Sequence, residues 1–183
     1  MPARSANRGA FALLSLLLFI GVQSFDTGET KKEQDMTTVT ATTSADETAI
    51  RALEDRFTAA FNAGDIDAMM KNYIPDQSLV VFDVVLRKEY LGADNYRKDW
   101  VDFFSHFTGT PKITITDLGI TADDNLGFSH SFQHITGTDT QGRPVNRTVR
   151  VTDGYRKVGG NWLIVMEHIS VPVDLGSGKA AGL

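Results

Sequence analysis

The chain reads as an α+β domain, helices first and a long antiparallel sheet after them. Three observations predict this. Apolar residues recur at three- and four-residue steps as far as Phe107, the period falls to two beyond Pro111, and short turn-forming clusters divide the later runs. Ser44-Ala45-Asp46-Glu47 is a capping box at the start of the first helix, whose apolar stripe is Ile50, Leu53, Phe57, Ala60 and Phe61. Gly64 ends that helix and Asp65 caps a second, carrying Ile66, Met69, Met70 and Tyr73 until Pro75 stops it. A β-rich run, Leu79 to Val85, comes next. Gly92 to Phe107 is helical, with Tyr96, Trp100, Phe103, Phe104 and Phe107 as its buried face. Four strands follow, over 112–121, 126–138, 145–157 and 162–173, joined by Asp123-Asp124-Asn125, Asp139-Thr140-Gln141-Gly142 and Gly159-Gly160.

The N-terminus has a different character. Arg4 and Arg8 precede an apolar run from Ala10 to Val22, and Val22-Gln23-Ser24 offers small residues for cleavage after Ser24. A basic flank, a short apolar core and small residues form the pattern of a secretory signal peptide. The run falls short of the roughly 20 residues that an unstrained membrane helix needs. The expected organisation is therefore a signal over 1–24, a polar flexible linker over 25–43, one domain over 44–175 and a flexible tail over 176–183. The expected location is secreted or periplasmic, with no stable membrane span once the signal is gone.

Composition narrows the chemistry. The 183 residues include no cysteine, which excludes disulfides, thiolate nucleophiles, thiolate-bound zinc and iron–sulfur clusters. The formal charge of −5, becoming −7 without Arg4 and Arg8, gives no basis for binding nucleic acid. Chemistry is left to carboxylates and imidazoles, and no cofactor is called for.

Several segments in order resemble the cone-shaped domains of the nuclear transport factor 2-like superfamily, including ketosteroid isomerase and the SnoaL-like cyclases. They are Phe57-Thr-Ala-Ala-Phe-Asn-Ala-Gly-Asp65, Tyr73 to Asp83, Tyr90-Leu-Gly-Ala, Thr152-Asp-Gly-Tyr-Arg156 and Gly160-Asn-Trp-Leu-Ile-Val-Met-Glu-His-Ile-Ser170. The resemblance implies a curved antiparallel sheet with about three helices on its concave side, enclosing a pocket for a small molecule. It also places Asp83 at the isomerase's base and Asp153 at its second aspartate, a carboxylic acid that an apolar site keeps neutral. The isomerase's helix-one tyrosine is here Phe57, so the resemblance does not extend to steroid isomerisation itself.

Single residues sharpen this picture. Asp83 leaves the apolar run Leu79-Val80-Val81-Phe82, where burial would raise its pKa toward that of a useful base, or it bonds a nearby turn amide. Asp153 shares parity with Val149, Val151 and Tyr155 and is expected to point inward, toward the ligand or into a structural pair. His168, in step with Trp162, Ile164 and Met166, is the histidine best placed to orient Asp153 or shuttle its proton. His130 and His134 share the apolar parity of Leu126, Phe128 and Phe132 and are candidates to line the pocket. They lie roughly 13 Å apart by strand rise, too far to share one metal. Many relatives carry another histidine two residues before His168, where this chain has Met166, so no metal is expected. Phe57, Tyr73, Tyr90, Trp100 and Trp162 complete the ligand-binding candidates.

Two functional expectations stand side by side. One is cofactor-free proton transfer, of isomerase, cyclase, dehydratase or hydrolase type, with Asp83 as base and Asp153 and His168 as hydrogen-bond partners. The other is a non-catalytic binding or assembly module of the same fold. The last strand is apolar at both parities, which calls for a cover and predicts a homodimer.

Overall fold

A computed structural model describes residues 44–180 of the chain. The expected signal peptide over 1–24 and linker over 25–43 lie outside the described residues. Helix α1 (Ala45–Ala63) opens on the capping box: Ser44 Oγ accepts from the Glu47 amide, and the Glu47 carboxylate accepts from the Ser44 amide. Gly64 closes it at φ 71°, a left-handed conformation that side chains with a Cβ resist. Asp65 caps α2 (Ile66–Met70) through the Ala68 amide, and α3 (Ala93–Ser105) follows two short strands.

Those strands are β1 (Val80–Phe82) and β2 (Tyr90–Leu91), followed by β3 (Lys112–Asp123), β4 (Leu126–Thr138), β5 (Pro144–Val158) and β6 (Asn161–Ser170). They form one six-stranded sheet in the order β2-β1-β6-β5-β4-β3, antiparallel except where β1 runs parallel to β6. A separate hairpin pairs β7 (Val173–Asp174) with β8 (Lys179–Ala180), its turn fastened by Ser177 donating to Asp174. The first residues of the stretch expected as a flexible tail, 176–180, form the turn and second strand of this hairpin. Among the described residues, no helix is long and apolar enough to cross a membrane.

Two irregularities bend the sheet and decide which side chains face inward. In β3, Asp117 and Leu118 interrupt the pairing with β4, Asp117 at φ 52°. Between β5 and β6, Tyr155 pairs with Ile164 while Gly154 pairs with Met166, which leaves Val165 as an extra residue of β6. Beyond that bulge the parity of β6 inverts.

The helices cover the concave side. Ile50, Leu53, Phe57 and Phe61 of α1 pack with Tyr96 and Trp100 of α3, Tyr73, and Tyr155 and Ile164 of the sheet. Trp100 sits at the middle of an aromatic cluster, 6.0 Å from Phe57, 5.9 Å from Phe61 and 5.4 Å from Tyr96 between ring centroids. Tilted and edge-on pairs at such separations add to the burial of the rings themselves.

Candidate functional site

The concave side is not uniformly apolar. The pairing register sets Ser129 of β4, Asp153 of β5 and Glu167 of β6 in one row across the inner face. All three are buried, Asp153 at 2% exposure and Glu167 at 5%. Glu54 of α1 comes down on the row from the helix side and is also buried.

Tyrosines satisfy these acids at two places. The Tyr73 hydroxyl donates to Glu167 Oε2 at 2.6 Å and the Tyr96 hydroxyl to Glu167 Oε1 at 2.5 Å. Separately, Tyr155 donates to Glu54 at 2.6 Å and shares a 2.7 Å bond with Ser129. Asp153 lies between the two groups, with Oδ1 buried and unpartnered. Desolvation, joined by the charges of Glu167 and Glu54, pushes the Asp153 carboxyl well above the carboxylate range, against the pull of the Ser129 and Tyr155 hydroxyls. Desolvation likewise raises Glu54, while Tyr155 draws it down. Glu167 is pushed up to about 7, chiefly by desolvation, although its two tyrosines favour the charged form.

The Glu167 group meets open space. A cavity of about 270 Å³ lies between α3 and the sheet, with Glu167 and Asp83 on its wall. Phe61, Trp100 and Phe103 close it from the helix side, and Ile113, Ile135, Val149 and Ile169 from the sheet. Gln133 adds one amide, and Val84, Val85, Asp99, Asp102 and His106 complete the lining. Asp83 is half-buried just past the end of β1. Burial pushes its carboxyl up, the Val84 amide pulls it down through a 2.5 Å bond, and the charge of Asp99 raises it again. The charge of Asp83 in turn helps raise Glu167. Among the described residues, no group of three or more His, Asp or Glu side chains is placed to hold a metal ion.

Of the residues expected at the site, Asp83 and Trp100 line the cavity. Asp153 points inward as its parity required, and with Tyr73 and Phe57 it stands behind the cavity wall rather than in it. Tyr90 donates to Asp99 and lines an adjoining groove. Trp162 is buried elsewhere, its indole donating to Asp46 at 3.0 Å beneath the Lys157 ammonium.

The three strand histidines are corrections. His168 is turned outward by the Val165 bulge and lies exposed on the convex face, 5.8 Å edge-on from Phe82; Glu167 takes the inward place. His130 and His134 follow the outward parity of Leu126, Phe128 and Phe132, because the inward side of β4 is the polar one: Ser129, Ser131 and Gln133. The His130 ring lies over Gly119, where an added Cβ would sit 2.5 Å from Nε2. His134 pairs across the strands with Thr148 at 2.9 Å.

Glu167, Asp99, Asp102 and Gln133 are site residues that the sequence pattern does not single out, and helical spacing marks Tyr96 only as core. The available signal is Glu167 itself, a single carboxylate inside the apolar run from Trp162 to Val171.

A family model of the SnoaL-like domain matches residues 50–174. The chain belongs to this family. No curated protein matches it in sequence. Among solved structures, a nuclear transport factor 2-like protein of unknown function from Pseudomonas putida KT2440 is 28% identical with a TM-score of 0.67, covering 75% of this chain and 94% of that one. A nuclear transport factor 2-like superfamily protein from Salmonella enterica gives a TM-score of 0.64 at 15% identity, covering 73% and 96%. A ketosteroid isomerase-like protein from Erwinia carotovora atroseptica gives 0.57 at 21%, covering 67% and 93%. These likenesses establish the cone fold; the same fold carries many chemistries.

Proposed function

We propose that this SnoaL-like domain binds a small, mostly apolar molecule in its cavity and moves a proton on it without a cofactor. One observation carries the reading: Asp83 and Glu167, both with raised pKa, face the same apolar cavity. Asp83 takes the proton, since it is reachable and burial strengthens it as a base. Glu167, fixed by Tyr73 and Tyr96, presents a carboxyl poised near neutral pH that donates to the oxygen gaining charge. Asp153 stands behind them, its carboxyl held well above the carboxylate range by burial. His168, on the opposite face of the sheet, has no part in this scheme.

The test is deuterium uptake from D₂O at the α-carbons of small cyclic ketones, followed by NMR. The wild-type protein should accelerate exchange over buffer, and Asp83→Asn should abolish the acceleration. Equal rates with wild type, Asp83→Asn and buffer would sink the assignment.

A second reading, a non-catalytic binding or assembly module, draws on Phe57 standing where the isomerase has its phenol. Native mass spectrometry showing a retained, chemically unchanged small molecule would favour it. Homodimerisation is compatible with either reading, and the convex face offers exposed Phe82, Phe128 and Phe132 for it. Sedimentation as a monomer at micromolar concentration would count against a dimer. We also propose export with cleavage after Ser24, which intact-mass measurement of the mature N-terminus checks.

A further inference from the structure

The cavity's charge is more lopsided than proton transfer requires. Besides Asp83 and Glu167, its lining holds Asp99 and Asp102, three residues apart on one face of α3, and among the described lining residues there is no lysine or arginine. None of the four carboxylates has a cationic nitrogen within 4 Å: the ion pairs among the described residues are Lys88–Glu89, Arg97–Asp67, Arg143–Asp139 and Lys157–Asp46. Two cations, Arg87 and Lys98, line the adjoining groove with Asp99 and Asp102, and Arg87 is stacked over the Tyr90 ring at 4.8 Å. His106 stands at the rim with Nδ1–H committed to the Asp102 carbonyl at 2.7 Å.

Beside these carboxylates the wall is aromatic. Trp100 and Phe103 stand edge-on at 5.6 Å, Phe61 and Trp100 edge-on at 5.9 Å, and all three rings reach the cavity. The Trp100 indole N–H is buried and lacks a protein acceptor. Aromatic rings beside carboxylates that lack a cationic partner form a surface that attracts an organic cation and repels an anion. At about 270 Å³ the cavity lies at or below the small end of ligand pockets, which run from roughly 300 to 1,000 Å³.

We infer that the ligand of this cavity is a small aromatic or alicyclic amine, bound as its ammonium. Its charged end rests between Asp99 and Asp102 at the rim, and its apolar body lies among Phe61, Trp100 and Phe103. That pose sets the body against Asp83 and Glu167. The inference rests on the cavity being the ligand site and specifies which class of molecule enters it. Carboxylates and phosphates of the same size are excluded by the like charges around the opening.

The experiment titrates the full-length protein with 2-phenylethylamine, 2-phenylethanol and 3-phenylpropionate, which share one ring and differ in the charge of the tail. Binding is followed by calorimetry and by tryptophan fluorescence, to which Trp100 contributes from the cavity wall. The amine should bind at least tenfold more tightly than the alcohol, about 1.4 kcal/mol, and the acid should not compete. Asp102→Asn, a change at an exposed position, should weaken the amine about fivefold and leave the alcohol unchanged. Equal affinity for amine and alcohol would overturn the charge assignment while leaving the cavity as the ligand site. Tighter binding of the acid would do the same. If none of the three binds, the ligand-site reading falls with it.

Discussion

The cone holds two carboxyl–tyrosine groups built from the same parts, and they differ in what lies beside them. Glu54 is capped by Tyr155, which also bonds Ser129, and the pair lies outside the lining of the cavity. Glu167 is gripped by Tyr73 and Tyr96 and has a cavity in front of it, with Asp83 on the same wall. Burial lifts the pKa of both acids, and in both the phenols oppose the lift. A raised pKa therefore does not by itself mark a functional residue. The closed pair ties α1 to the sheet, whereas the open pair presents its carboxyl to whatever enters.

The sharpest way to break this comparison is Asp83→Asn. Its loss should cost proton transfer about 10²–10³-fold, within the usual range for a general base. Stability should stay within about 1 kcal/mol, measured by denaturant unfolding, since Asp83 is only half-buried and bonds a single adjacent amide. A comparable loss of activity in Glu54→Gln would erase the distinction between the two groups.

The pH dependence of stability comes next. Glu167 has its folded pKa raised from 4.5 to about 7, so between those values the folded state holds a proton that the unfolded state has released. Its contribution is fully present below about pH 4.5 and is lost as pH rises through about 7, on the order of 3 kcal/mol over the whole span. Asp153 and Glu54, also raised, have the same sign. Glu167→Gln should flatten the fall of Tm between pH 5 and 8. A slope equal to that of the wild type would show that Glu167 does not titrate there.

The closed group is probed by Tyr155→Phe, which removes a donor to Glu54 and a partner of Ser129. It should cost about 1–3 kcal/mol of stability, with affinity for a cavity ligand unchanged. Smallest of all is His168→Ala. On the convex face it should leave proton transfer at the wild-type level and move the stability of the isolated protomer by about 0.5 kcal/mol or less. A large drop in activity would return His168 to the site.

Local signals carry most of the fold. The Ser44 box, the Gly64 terminus, the Asp65 cap and the change of period after Pro111 each need only neighbouring residues, and each stands where the sequence puts it. The site is less legible, for two physical reasons. Parity counting treats a strand as unbroken, and one bulged residue in β6 exchanges His168 for Glu167. An apolar strand face also suggests the inside, although in β4 hydroxyls and an amide face inward. A buried polar lining is stable when its members bond to one another, and those partners are far apart in the chain: Tyr73 meets Glu167 across 94 residues and Glu54 meets Tyr155 across 101. No window of sequence holds both halves of such a bond.

The extra residue at Val165 has a consequence for how such domains diversify. Strand β6 carries an acid and an imidazole side by side, and register alone chooses which of them the interior receives. Flattening the bulge with Val165 retained would offer a route from carboxyl to imidazole chemistry, with every side chain of the repertoire already in place. One scaffold can thus change its reagent by sliding a strand, without inventing a residue.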